Sequence, residues 1–271
     1  MVKYEMGGYS DKMTFFKYYF IETVPFGNGN FGIVLKSKCK TENVEYAIKI
    51  NKMSVSSQHQ KDELYKEVQM LQICQGHKNV IKLYNSFEQC GKIYQQLEFC
   101  SKTLWDIVYK LEFIPNDLLH SYIIDMLDGT AYIHSLNIIH MDLKLENILV
   151  SSQNICKIAD FGLSISSIRA QQTEDDDIED LMYHRMEILG ETPTTAVDIF
   201  ALGLLILELV TDIDIPSNGR QFNKLRKKII PKKLKHNVSK CIVHLINNMI
   251  CVDKDERLSA VNLLKQMNQT K

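Results

Sequence analysis

Asp142, Lys144, Asn147 and Asp160 stand close together in the sequence. They lie inside His140-Met141-Asp142-Leu143-Lys144-Leu145-Glu146-Asn147 and Lys157-Ile158-Ala159-Asp160-Phe161-Gly162. Moving a phosphoryl group to a hydroxyl requires a proton acceptor, positive charge beside the transferring group, and reactants held in line. Asp142 can take the proton and orient the nucleophile. Lys144 can neutralise charge on the transferred group. Asn147 and Asp160 offer hard oxygen donors to Mg2+, which bridges nucleotide phosphates. Each residue has a plainer use: Asp142 in a turn, Asp160 as a cap, His140 as a hydrogen-bonded core histidine. His140 is read as structural. For the other residues, order and spacing favour the chemistry.

Upstream, Gly27-Asn28-Gly29-Asn30-Phe31-Gly32-Ile33-Val34 places glycines where backbone amides could approach phosphate oxygens closely. Alone, this pattern fits a Gly/Asn hairpin equally well. After Gly32 the chain continues as strand, whereas a dinucleotide-binding turn would open a helix. The next strand delivers Ala47-Ile48-Lys49, whose lysine could offer positive charge to phosphates. Glu67 is the expected anionic partner that aims Lys49, with Glu63 one turn earlier as its competitor. ATP and Mg2+ are the expected cosubstrate and metal.

Elements must position these residues. Short runs rich in Val, Ile, Phe and Tyr at 18–24, 31–38, 44–50, 80–87 and 92–99 predict strands. The spacing over 60–75 predicts a helix with Leu64, Val68 and Leu71 on one face and Ile73 as a further candidate. Helical periodicity then dominates at 104–109, 116–134, 195–210, 237–250 and 259–269, interrupted by a strand–loop–strand around 138–158. A strand-rich part followed by a helix-rich part predicts an α+β fold with a cleft near residues 97–103.

Composition narrows the classes. The 271 residues are 45% hydrophobic and 24% charged, as in ordinary globular chains. A formal net charge of -1 gives no global attraction to nucleic acid or anionic membrane. Seven scattered cysteines form no C-x-x-C pair and suit a reducing, intracellular compartment. The first residues lack the apolar run of a signal peptide. The longest apolar stretch, 199–210, is broken by Gly203 and Glu208 and is shorter than the roughly 20 residues of a spanning helix. It reads as a buried core helix. We expect a monomer without a membrane segment or nucleic-acid partner.

The chain resembles the eukaryotic protein kinase domain over 14–269. The resemblance implies a strand-rich N-lobe at 14–97, a hinge at 98–103 and a helical C-lobe at 104–269, with the ATP cleft between. His140-Met141-Asp142 through Asn147 is similar to the family's catalytic loop except at Met141, where arginine is usual. Asp160-Phe161-Gly162 matches its D-F-G element. Glu98-Phe99-Cys100 would present backbone groups to adenine, Leu97 would be the gatekeeper, and Ala47 and Leu149 would sandwich the base. Asp198 would brace the catalytic loop, and Glu187 would pair with Arg257.

Met141, the run from Asp198 to Glu208, Ile215 to Arg226 and Gln96-Leu97-Glu98-Phe99-Cys100 look like the Wee/Myt group. This implies inhibitory phosphorylation of a cyclin-dependent kinase on tyrosine, with a neighbouring threonine as second acceptor, and residence in the nucleus or else the cytoplasm. Lys144 also suits a serine/threonine kinase with another substrate. Arg185-Met186-Glu187 departs from the family's A-P-E and leaves a pseudokinase scaffold as a third reading. The loss of the loop arginine implies activity without activation-loop phosphorylation. The acidic run 174–180 and the basic run 224–235 read as solvated surface.

Overall fold

Burial alternates along the inner strands of the first unit, as a period of two demands. Within β3 (Glu45–Asn51), Tyr46 and Ile48 are buried while Ala47 and Lys49 are only partly so. The structure is a computed structural model that describes residues 16, 19–28, 32–51, 58–110, 114–167, 193–211, 238–251 and 253–269. These fall into two compact units: residues up to Val68 with Lys82–Phe99, and Gln69–Ile81 with Cys100 onward.

In the first unit, β1 (Phe20–Asn28), β2 (Gly32–Cys39), β3, β4 (Leu83–Gln89) and β5 (Lys92–Glu98) form an antiparallel sheet in the order β1-β2-β3-β5-β4. Phe20, Cys39, Tyr46 and Ile48 make its core, with Phe16, Leu35, Ile50 and Tyr94 packed around them. Gly27 pairs with Val34, and Asn28 with Ile33, at the glycine-rich turn. A Cβ on Gly32 would come within 2.6 Å of the Ile50 carbonyl oxygen, so the β2–β3 pairing itself requires glycine there. At Gly27 the nearest such contact is an ordinary 3.7 Å. The strand expected at 80–87 begins only at Leu83. Val80 bridges Ile158, and the Ile81 amide donates to the Ile158 carbonyl at 2.9 Å, so these backbone groups are already used in the second unit.

Helix α1 (Gln58–Ile73) buries Val68 and Leu71 as expected, but Ile73 is 54% exposed. At about 100° per residue it lies roughly 200° from Leu71, off the apolar face. Met70 and Cys74 are buried instead.

The second unit is mainly helical, which completes the expected α+β class. β6 (Lys102–Thr103), β8 (Ile148–Val150) and β9 (Cys156–Ile158) form one small sheet, and β7 (Ile138–Ile139) pairs with β10 (Ile165–Ser166). Helix α2 (Leu104–Lys110) starts at a reciprocal cap. The Asp106 amide donates to Thr103 Oγ1, and the Thr103 amide donates to Asp106 Oδ2, both at 3.0 Å. Helices α3 (Asn116–Ser135), α4 (Thr195–Val210), α5 (Lys240–Met249) and α6 (Ala260–Gln269) follow. The apolar run on α4 is buried almost all round, as its composition requires. Gly203 lets α5 approach, since a Cβ there would meet Met249 Cβ at 2.7 Å. α5 begins later than expected because Ser239 caps it, its Oγ accepting the Ile242 amide at 3.3 Å. Among the described residues, no helix is long and apolar enough to cross a membrane.

Candidate active site

Lys49 lies in the middle of β3, opposite Val34 on β2 and Gln95 on β5. Its Nζ donates to Glu67 Oε1 at 2.6 Å, with the side chains only 13% and 8% exposed. A charge-assisted bond this far from water holds both groups in place, and loss of either partner strands a buried charge. The structure therefore places Glu67 at Lys49; the side chain of its competitor Glu63 lies outside the described residues. Ala47 precedes Lys49 on the same face of β3 and pairs with Leu97. Glu98 pairs with Tyr46, and its amide donates to the Lys82 carbonyl at 2.8 Å. Val34 faces Gly27 across the hairpin. Gly29, Asn30, Phe31 and the side chain of Asn28 lie outside the described residues.

In the second unit, the loop after β7 hangs on one carboxylate. Asp198, in the first turn of α4, is fully buried. Its Oδ2 accepts the His140 amide and the His134 ring, each at 2.8 Å, and its Oδ1 accepts the Met141 amide at 2.9 Å. Burial alone would raise the Asp198 pKa. The His134 hydrogen bond and charge, with the His140 amide, outweigh it and hold the carboxyl below its ordinary range. The two amide bonds pin Met141 at φ 69, a left-handed conformation that a non-glycine residue adopts only when its surroundings enforce it.

His140 carries the loop further. Its Nε2 is 3.1 Å from the Ala159 carbonyl, which can only accept, so Nε2 bears the proton and Nδ1 takes the Asp142 amide at 3.3 Å. Its ring meets the buried Phe161 edge-on at 5.0 Å. Asp142 is thereby fixed at its backbone, and its Oδ2 accepts from Lys144 Nζ at 2.7 Å and from Asn147 Nδ2 at 2.8 Å. Asn147 Nδ2 also reaches the Asp142 carbonyl at 2.8 Å. Among the described residues nothing bonds Asp142 Oδ1 or Asn147 Oδ1.

The Ala159 amide donates to the Asn147 carbonyl at 2.9 Å, which ties Asp160 to the same loop; Asp160 sits at φ 66. Asn147 and Asp160 each carry a hard oxygen donor. That set fits Mg2+, which takes few protein ligands and fills its shell with water and phosphate. Leu149 lies half-buried in β8 opposite Lys157, and Cys100 is buried at the start of the second unit.

Two participants were not read from the sequence. His134 completes the Asp198 cluster from 64 residues away, and Ser164 Oγ donates to the His140 carbonyl at 3.2 Å. Arg257 is buried, donates to the carbonyls of Cys251 and Ala196 at 2.7 and 3.0 Å, and stacks over Phe200. Glu187, its expected partner, lies outside the described residues, as do the acidic run, the basic run and residues 215–226.

A sheet lysine held by a helix glutamate in one unit, and a loop aspartate braced from a buried helix in the other, are each features that suit a nucleotide-dependent phosphotransferase. The protein kinase domain family matches residues 20–267, and the chain belongs to that family. It is 32% identical over 250 residues to the membrane-associated tyrosine- and threonine-specific cdc2-inhibitory kinase wee-1.3 of Caenorhabditis elegans, covering 92% of this chain and 36% of that protein. The Drosophila melanogaster membrane-associated tyrosine- and threonine-specific cdc2-inhibitory kinase is 32% identical over 256 residues, 93% of this chain and 47% of its own length. The mitosis inhibitor protein kinase wee1 of Schizosaccharomyces pombe is 28% identical over 207 residues, 74% and 23% of the two chains. The chain thus spans less than half the length of these relatives.

Proposed function

We propose that this chain transfers the γ-phosphoryl group of ATP to a hydroxyl of a protein substrate. The observation that carries this reading is Asp142. One carboxylate oxygen is held by Lys144 and Asn147, while the other has no bond among the described residues. That second oxygen is available to accept the proton of an incoming hydroxyl and to set its direction. Lys144, anchored on Asp142, supplies positive charge beside the transferring group. Lys49, aimed by Glu67, would hold the α- and β-phosphates. The glycine-rich turn at Gly27, Gly29 and Gly32, with Asn28, Asn30 and Phe31, would cover the phosphates. Val34, Ala47, Leu97 and Leu149 would enclose the base, and backbone groups of Glu98 and Cys100 would meet its edge. Asn147 and Asp160 would hold Mg2+, which when bound offsets phosphate charge.

For the acceptor, we favour a tyrosine, with a neighbouring threonine as second site, in a cyclin-dependent kinase, with restraint of mitotic entry as the consequence. The support is the similarity to the worm, fly and yeast kinases, two of whose names specify tyrosine, threonine and cdc2. We place the protein inside the cell, in the nucleus with the cytoplasm as alternative; "membrane-associated" is said of the worm and fly relatives.

Radiolabelled ATP with a kinase-dead cyclin-dependent kinase, followed by phosphoamino-acid analysis, tests the reading. Phosphotyrosine supports it. Phosphoserine or phosphothreonine alone points to a serine/threonine kinase with another substrate. Asp142→Asn should lower transfer by about 10²–10⁴ without unfolding the protein. No incorporation by either protein would leave a scaffold.

A further inference from the structure

Gln95 is a polar residue in a place that suits an apolar one. It lies on β5 opposite Lys49 of β3 and opposite Ser86 of β4. Two residues to either side on the same face of β5 stand Ile93, which is buried, and Leu97, which is partly so. Gln95 itself is only 5% exposed, and its Oε1 is buried with no hydrogen bond among the described residues. A buried carbonyl oxygen without a donor destabilises a fold, whereas an apolar side chain of the same length does not. The sheet gives no reason for an amide here, and such exceptions gather at functional sites.

The neighbouring strand supplies a reason. Residues directly opposite in an antiparallel pair share a face, with Cβ atoms about 4.5–5.5 Å apart. Gln95 thus stands beside the lysine whose Nζ donates to Glu67 Oε1 at 2.6 Å, and all three residues belong to the first unit. An ammonium has three N–H donors and turns at the end of a flexible four-carbon stem. A carboxylate from the helix and a carbonyl from the next strand can therefore both serve it. The oxygen is the end of the amide that suits this neighbour, because an NH2 group would set donor against donor.

We propose that Gln95 is a positioning residue for Lys49, its Oε1 accepting from the ammonium when nucleotide phosphates are bound. This rests on the kinase reading in taking a nucleotide as the ligand. Glu67 restrains Nζ from the helix, and Gln95 adds a second restraint from the sheet. Gln95 touches no substrate, so its effect passes through Lys49. That lysine would hold the α- and β-phosphates before and during transfer. Losing the restraint therefore weakens ground state and transition state alike, which raises KM and leaves kcat in place.

Gln95→Met keeps the length of the side chain and removes the acceptor. Its affinities for ADP and for adenosine are measured by calorimetry, together with Tm and with KM and kcat for ATP. ADP affinity should fall, and KM for ATP rise, by about tenfold. Adenosine has no phosphate for Lys49 to hold, so its affinity should stay within about twofold of wild type, as should kcat. Tm should be unchanged or higher, since a buried acceptor without a donor has been removed. Ser86→Ala, which deletes the hydroxyl on the other side of Gln95, should leave ADP affinity as it was.

Unchanged ADP affinity, an equal loss for adenosine, or a lower Tm in Gln95→Met would each overturn the proposal. So would a Ser86→Ala protein that reproduces the loss. Wild-type protein that binds ADP but transfers no phosphate would count against the kinase reading alone, and ADP compared with adenosine would still report on Gln95. Wild-type protein that binds no ADP would overturn both.

Discussion

Asp198 concentrates much of the second unit's order in one side chain. It takes the amides of His140 and Met141 and the ring of His134, and no water can replace these donors at a fully buried position. Asp198→Asn keeps the shape but turns an NH2 group toward an N–H donor, so a loss of about 2–3 kcal/mol is expected. The pH dependence follows from the direction of its shift. Because the folded pKa is lowered, the carboxylate's stabilisation is present above the ordinary carboxylate range and is lost as pH falls through the lowered value. The Tm gap between wild type and Asp198→Asn should therefore be widest near neutrality and close in acid; a gap independent of pH would refute this assignment. At this scale the sequence was legible where motifs are contiguous, as with Asp142, Lys144, Asn147 and Asp160. His134 and Ser164 were not legible, because their roles arise from folded contacts across 64 and 24 residues and neither type has a spacing signal. The choice between Glu67 and Glu63 likewise needed the geometry of α1 against β3.

Elements were read well where one physical signal acted alone. The alternation of β3, the amphipathic spacing of α3 and the continuous apolar run of α4 each specify a burial pattern that the fold repeats. They were read less well where backbone partners lie far along the chain. Val80 and Ile81 have strand-like composition but pair with Ile158, which delays β4. Gly203 poses a sharper problem, since in a helix glycine costs about 1 kcal/mol relative to alanine. Its place is explained by α5: an added Cβ would lie 2.7 Å from Met249 Cβ and 2.9 Å from Ile250 Cγ2. Despite better helix propensity, Gly203→Ala should lower stability by about 1–3 kcal/mol through overpacking. Ile250→Ala, which removes the Cγ2 that the new methyl would meet, should make the loss in the double variant smaller than the sum of the two single losses. Denaturant unfolding of the single and double variants measures the coupling, and simple additivity would show that α4 and α5 do not meet as described.

For the whole molecule, the open matter is control, and Met141 bears on it. The family resemblance implies an arginine at this position that receives an activation-loop phosphate. Here the position holds a side chain only 2% exposed, in an apolar cluster with Ile139 and Val197, against which Leu163 and Ile165 pack. The Met141 amide is still held by Asp198, so the fold fixes the backbone of this loop at that point. Met141→Arg would force a charge into this cluster and should cost about 3 kcal/mol. Restoring the family residue should therefore lower Tm and create no phosphate-dependent activity. Phosphatase-treated wild-type protein should keep kcat for the protein substrate proposed above within about twofold of untreated protein. Loss of most activity on dephosphorylation, regained on rephosphorylation, would show that another cation does the work of the missing arginine. A stable Met141→Arg protein would show in turn that the cluster opens readily to water. Both experiments ask whether the active arrangement is built into the fold, and a buried Met141 whose amide is held by a fully buried carboxylate predicts that it is.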